Sequence, residues 1–259
     1  MSNIFQELQM ISISSGNVVV EARKQMNEIV QIFKSQKDYV ENITTIAETL
    51  RYLNPQTFFD ADAFMVQPDT DAAILPENLR HDTLGFCQGS RIVYSGRLVY
   101  PVKDVKGDVM GWCGYDKWEE TKYLDSVNNG YKAKAVSFYG MERLEEAYRS
   151  DDPIFFVEGI VCCLFLRQEG FQSFATLGSY LTPYVVKIIS RLGHRAVFIT
   201  DSDEAGNKYR AQVKRLLPKA RCYQSTIAKD IDDSRQVDMD IVNDLRKFKQ
   251  PFHTLQYFM

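Results

Sequence analysis

The chain of 259 residues is poor in the residues that build metal fingers and disulfide frameworks. Its five cysteines, Cys87, Cys113, Cys162, Cys163 and Cys222, form no C-x-x-C pair, and its three histidines, His81, His194 and His253, lie far apart. This argues against a zinc site. The odd, scattered cysteine count suits reduced thiols, with Cys162 and Cys163 expected to be buried in an apolar stretch. No apolar run reaches the roughly 18 residues of a membrane-spanning helix, and Met1 to Met10 has neither the basic flank nor the apolar stretch of a secretory leader. The expected partners therefore include no membrane, and the expected location is the cytoplasm. G-x-G-x-x-G after a strand, G-x-x-x-x-G-K-[ST] and G-x-S-x-G are all missing, which disfavours a dinucleotide fold, a P-loop and a hydrolase nucleophile elbow. What remains is an ordinary globular composition, 45% hydrophobic and 25% charged, long enough for one large domain or two small ones at about 150 residues each.

A formal net charge of -3 conceals local excesses. From Lys187 to Arg221 nine basic residues face three acids, Asp201, Asp203 and Glu204, which lie together. A second basic run (Arg91, Arg97, Lys103, Lys106, Lys117, Lys122, Lys132, Lys134) is interleaved with Tyr94, Tyr100, Trp112, Tyr115, Trp118, Tyr123 and Tyr131. Cations beside aromatic faces suit a strand of phosphates and unstacked bases. The same pattern also arises from solvated surfaces over ordinary core aromatics, and the sequence leaves both readings open.

The periodicity divides the chain at 150/151. Met26, Ile29, Val30 and Phe33, then Ile43, Ile46, Leu50 and Leu53, predict two helices between Ser15 and Asn54, the second closed by Asn54-Pro55. Irregular chain is expected from Asp60 to Asp82. A hairpin is expected over Arg97 to Tyr115 with its bend at Lys106-Gly107, and a charged helix over Met141 to Arg149. After Pro153 the pattern becomes regular. Strands at Ile154 to Val157, Ser173 to Thr176, Ala196 to Thr200 and Arg221 to Ser225 alternate with helices at Ile160 to Gln168, Pro183 to Arg191 and Ala205 to Leu217. The fold class is α/β: a parallel sheet with flanking helices over residues 151–259, preceded by a mixed α+β subdomain over residues 1–150.

Ligands of open α/β sheets bind beyond the carboxyl ends of the strands. Three acidic groups fall there: Glu158-Gly159, Asp201-Ser202-Asp203-Glu204, and Asp230-Ile231-Asp232-Asp233 after Lys229. Each alone is equally a helix cap or a solvated turn. Together, after successive strands, they would repel one another unless a divalent cation lay between them. Mg²⁺, which takes few carboxylates and shares its octahedron with water and phosphates, suits such a set.

V-E-G (157–159), D-S-D-E-A-G (201–206) and K-D-I-D (229–232) resemble the TOPRIM domain shared by primases, topoisomerases and some nucleases. Upstream, Y-P-V-K-D-V-K-G-D-V-M-G-W (100–112), K-Y-L-D-S (122–126), Lys134 and Y-G-M (139–141) are similar, in order and spacing, to the catalytic core of bacterial and phage DnaG-type primases. Weaker similarity begins near Leu50, so the likeness extends over residues 45–235. It implies synthesis of short RNA primers from NTPs on single-stranded DNA. Glu158, Asp201 and Asp203 would be catalytic, and these three with Asp230 and Asp232 would hold Mg²⁺ or Mn²⁺. Arg97, Lys103, Lys122, Lys134 and Lys229 would bind nucleotide or template.

The chain also departs from that family. Cys162 stands where the family carries an aspartate, Tyr115 replaces an arginine, and Asp125 replaces an asparagine, which puts one metal contact and some nucleotide contacts in question. An N-terminal zinc module and a helicase-binding domain are missing from the expected layout. The trimmed form points to a phage-encoded enzyme in its host's cytoplasm. It would be assisted by a replicative helicase or a separate zinc-binding initiation factor. Two alternatives use the same residues: a TOPRIM nuclease and a catalytically degenerate single-stranded-DNA-binding replisome subunit. The aromatic ending, with Phe248, Phe252, Tyr257 and Phe258, is either a docking tail or packed on its own domain.

Overall fold

The computed structural model of the chain describes residues 17–50, 53–125, 137–224 and 238–248. It forms two compact units, Met1–Glu145 and Glu146–Met259. The division precedes 150/151 because a helix carries the chain across it: α4 (Leu144–Arg149) in the numbering used below. Its last turns are tied to the second unit. The Arg195 guanidinium donates to the carbonyls of Ala147 and Tyr148, and the Tyr148 hydroxyl donates to the Ile188 carbonyl at 2.9 Å.

The first unit begins with helices α1 (Asn17–Lys34), α2 (Tyr39–Thr49) and α3 (Pro55–Asp60). Met26, Ile29, Val30 and Phe33 bury one face of α1, as their spacing predicts. Asn54-Pro55 does not close a helix but opens one. The Asn54 side-chain oxygen accepts from the Thr57 amide at 3.0 Å, and Pro55 takes the first position, where its missing N–H leaves no bond unmade. Strands β1 (Phe64–Met65), β4 (Leu98–Lys103), β5 (Val109–Tyr115) and β6 (Tyr123–Asp125) form an antiparallel sheet in the order β1-β4-β5-β6, while β2 (Cys87–Gln88) pairs with β3 (Arg91–Ile92). Between Asp60 and Asp82, the stretch read as irregular holds β1 and short 3-10 turns.

The β4–β5 hairpin bends at the predicted place. Gly107 has φ +87°, a conformation side chains rarely adopt, and Asp104 accepts from the amides of Lys106 at 2.8 Å and Asp108 at 3.2 Å. Arg23 of α1 neutralises Asp104 from 2.9 Å. The aromatics of this region go mainly inward. Trp112 packs against Phe64 and Phe86, and its indole N–H donates to the Leu84 carbonyl at 2.9 Å. Tyr94, Tyr100 and Tyr115 are also buried, so core packing, not base stacking, explains most of that run; Trp118, at 77% exposure, stands apart. Tyr131 lies outside the described residues.

The second unit follows the predicted alternation, each bound within one residue: β7 (Ile154–Val157), α5 (Ile160–Gln168), β8 (Gln172–Ala175), α6 (Pro183–Ser190), β9 (Ala196–Thr200), α7 (Glu204–Leu216) and β10 (Arg221–Gln224). All its strand pairs are parallel, in the order β10-β9-β7-β8. The run of β7, I-F-F-V, is buried throughout, which is the pattern of a central parallel strand covered on both faces. Phe156 stacks on Phe174 of β8 and Phe198 of β9, at 5.6 and 5.0 Å between ring centroids. Cys163 is buried, but Cys162 only half-buried, which corrects the expectation for that pair.

A further helix, α8 (Asp238–Lys247), buries Ile241, Val242 and Leu245. Beyond it Phe248 lies against Phe155 and Tyr223, with the Arg221 guanidinium 4.9 Å from its ring centroid. Phe248 thus packs on its own unit; Phe252, Tyr257 and Phe258 lie outside the described residues. Phe156→Ala is expected to lower unfolding stability by about 3–5 kcal/mol, the usual range for a buried Phe truncation. A urea midpoint shift with an unchanged slope in the second unit's transition would show it.

Candidate metal centre

The parallel register builds the site. Val157 pairs with Ala175, and Gln224 pairs with Thr200. Beyond the last β7–β9 pair, Phe156 with Phe198, come Glu158 just past the end of β7 and Thr200 at the end of β9. Thr176, Glu158, Thr200 and Gln224 thus make up a polar row at or just past the carboxyl ends of β8, β7, β9 and β10. It lies two residues beyond the Phe174–Phe156–Phe198 stack, so it shares that face of the sheet. The hydrogen bonds agree with this placement. Thr176 N–H reaches the Val157 carbonyl at 2.9 Å, and Gly178 N–H reaches the Glu158 carbonyl at 3.3 Å.

Helix α7 covers this face. Tyr209 lies edge-on to Phe198 at 6.1 Å, and its hydroxyl is 2.9 Å from that of Thr176. The turn into α7 carries the other acids. Asp203 is the helix cap, accepting the Gly206 amide at 2.9 Å, so the cap falls on neither Asp201 nor Ser202. Gly206 is required by close approach: a Cβ there would lie 2.2 Å from the Asp201 carbonyl oxygen. Gln224 holds the same carbonyl with its side-chain amide at 3.0 Å and also donates to Asn207 Oδ1 at 3.3 Å. Arg210 bridges Asn207 and Gln224. The Asp201 backbone is thereby pinned by both α7 and β10.

Glu158 experiences the consequence. Burial, and then the charges of Asp201 and Asp203, push its carboxyl up to about 7. Its Oε1 is buried without a hydrogen-bond partner among the described residues. A half-buried carboxylate with an orphaned oxygen and two acidic neighbours is a donor set that fits a divalent cation, which would satisfy the oxygen and cancel the repulsion. Among the described residues, no three His, Cys, Asp or Glu side chains come close enough to hold one ion together. Asp230, Asp232 and Lys229 lie outside the described residues, as does Lys134.

Of the cations expected to grip nucleotide or template, Arg97, Lys103 and Lys122 are described, in the first unit. Arg97 donates to the carbonyls of Thr121 at 3.1 Å and Lys122 at 3.3 Å, fixing the chain that enters β6. Lys103 and Lys34 both pair with Asp62, and the two cations hold its carboxyl below the usual range despite burial. Lys122 is exposed. Thr176, Thr200, Gln224 and Tyr209 were not singled out by sequence reasoning. The first three had a readable signal: each stands at the end of a strand-like run, two residues after Phe174, Phe198 or Cys222.

Residues 155–240, which include this edge of the parallel four-stranded sheet, match a family model described as Toprim-like. The chain as a whole is similar to the catalytic core of DnaG-type DNA primases. A DNA primase of Legionella pneumophila is 30% identical over 118 residues, 44% of this chain and 20% of that protein. The solved DnaG catalytic core superposes with a TM-score of 0.72 at 18% identity, covering 89% of this chain and 80% of its own. A DnaG primase catalytic domain bound to single-stranded DNA also gives 0.72 at 18%, covering 88% of this chain and 77% of its own. The chain spans about a fifth to a quarter of the length of the curated relatives it matches, 20% and 24% for two of them. Among the described residues no helix is long and apolar enough to cross a membrane.

Two outcomes test this geometry. Gly206→Ala is expected to displace the Asp201 turn, lowering both thermal stability and Mn²⁺ affinity; wild-type values for both would contradict the close approach. The second concerns pH in metal-free protein. Because the Glu158 carboxyl rises from 4.5 unfolded to about 7 folded, its contribution to stability is full below 4.5 and is lost as pH rises through 7. Glu158→Gln is therefore expected to raise the thermal midpoint at pH 8 and to change it little at pH 4.

Proposed function

We propose that this chain is the catalytic core of a DNA primase, making short RNA primers from NTPs on a single-stranded DNA template. The observation that supports the reading is the match of residues 155–240 to a Toprim-like model, with Glu158 following β7 and Asp201 and Asp203 following β9 at the carboxyl edge of the parallel sheet. The similarity to primase catalytic cores extends through the first unit as well, which a nuclease reading leaves without a role.

In this reading Glu158, Asp201 and Asp203, with Asp230 and Asp232, hold Mg²⁺ or Mn²⁺. When bound, such an ion neutralises triphosphate charge and favours ionisation of the attacking hydroxyl. The remaining work belongs to the protein. Asp203 fixes the turn by capping α7, and Gln224 and Gly206 hold the Asp201 backbone against the sheet. Glu158, whose carboxyl burial and like charge push up to about 7, would be held ionised by positive charge opposite it. Arg97 shapes the segment that presents Lys122. Lys122, with Lys134 and Lys229, then contacts phosphates, where charge matters more than base identity. Lys103 contributes less directly, since its charge already serves Asp62.

The test is metal-dependent incorporation of labelled ribonucleotides on a mixed-sequence single strand. Asp201→Ala is expected to reduce it by at least about 100-fold, beyond the range for groups that only orient a ligand, with an unchanged far-ultraviolet circular dichroism spectrum. Retained synthesis at saturating Mg²⁺ would overturn the assignment. Cleavage of labelled single strands by wild type with metal and no nucleotides would favour the nuclease.

A further inference from the structure

Buried polar oxygens are nearly always hydrogen-bonded, and the exceptions call for an explanation. The polar row at the end of the second unit's sheet contains two. Thr200 is 3% exposed, and its Oγ1 has no hydrogen-bond partner among the described residues. Its neighbour in the row is Glu158, whose Oε1 is the other. The flanking members are satisfied: Thr176 Oγ1 reaches the Gly178 carbonyl and Tyr209, and the Gln224 amide reaches Asp201 and Asn207. The two orphans therefore stand at the carboxyl ends of paired strands, Glu158 just past β7 and Thr200 at the end of β9.

Their chemistry is complementary. A threonine hydroxyl offers one donor and two lone pairs, whereas an ionised carboxylate only accepts. A valine in the same place would fill nearly the same volume and suit the β9 backbone equally well, yet would leave no polar atom behind. A hydroxyl kept in the core at this position calls for an acceptor, and the Glu158 carboxylate at the end of the paired strand can serve as one.

We propose that Thr200 is a positioning residue for Glu158: its hydroxyl donates to the carboxylate, directly or through one water, and fixes the orientation in which Glu158 meets a divalent cation. This rests on the reading of Glu158, Asp201 and Asp203 as a cation site. The contact is made when the cation is bound, so its loss falls on metal affinity more than on folding. Groups that orient a ligating side chain affect metal affinity by about 10–100-fold when removed.

Mn²⁺ binding to the full chain, read from the electron paramagnetic resonance signal of free Mn²⁺, tests this alongside thermal melts in chelator. Thr200→Val is expected to weaken Mn²⁺ binding by about tenfold or more with an equal or higher melting temperature in chelator. Thr200→Ser keeps the hydroxyl and is expected to bind Mn²⁺ within about threefold of wild type, despite losing a packed methyl. If Thr200 merely packs, the order reverses: the valine variant binds normally and the serine variant is the impaired one. Normal Mn²⁺ binding by Thr200→Val, or a loss matched by a lower melting temperature in chelator, overturns the proposal. Asp201→Ala is the control. If it too binds Mn²⁺ normally, the cation site itself is wrong; if it loses binding while Thr200→Val does not, only the role of Thr200 falls.

Discussion

The second unit is organised around one electrostatic constraint, the burial of Glu158 beside two further carboxylates. A parallel sheet brings the ends of β7 and β9 side by side, so whatever follows each strand must share the same edge. Here acids follow both. Desolvation and like charge together disfavour ionisation, and the carboxyl rises to about 7. A fold that needed only stability would fill this edge with apolar or singly charged residues, since buried charge that is left unpaired is among the larger penalties a protein can carry. Retaining the acids makes sense when something positive completes the set.

The local structure serves this edge at several levels. Asp203 belongs to the acidic group and is also the cap that starts α7, so its structural and functional readings coincide. Gly206 lets α7 begin so close to Asp201 that any side chain would collide with backbone. Gln224, the last residue of β10, ties that strand's exit to the Asp201 carbonyl. Below them, Phe174, Phe156 and Phe198 stack across three strands and keep the polar row at one level. Rigid packing underneath is what allows a repulsive arrangement above it to hold its geometry.

The first unit distributes its charges differently. Its aromatic core, built on Phe33, Phe64, Phe86 and Trp112, is held to the hairpin by α1, and Arg23 pairs with Asp104 at the bend. Several cations that look from composition like a nucleic-acid surface have partners within the fold. Lys103 meets Asp62, and Arg97 meets the carbonyls before β6. Arg97 thereby shapes the segment around Lys122.

The alternation of short apolar runs with helical stretches was enough to place every strand of the parallel sheet within a residue, because buried parallel strands read as unbroken apolar runs. The acids Glu158, Asp201 and Asp203 could be named for the same reason: each follows such a run. The fates of Lys103 and the tyrosines were not legible, since a charge or ring looks the same in sequence whether it meets solvent or a distant partner. Asn54-Pro55 misled because the same pair that ends one helix can cap and begin the next. Spacing could mark Thr200 as a polar residue closing an apolar run, but not that its hydroxyl is buried without a partner among the described residues. Sequence by itself therefore determined the elements of the second unit's parallel sheet and the identity of the acids, because both are written in local order. Tertiary structure decided which side chains are buried, which charges are already answered and which oxygens are left without a partner, because these depend on contacts between residues far apart along the chain.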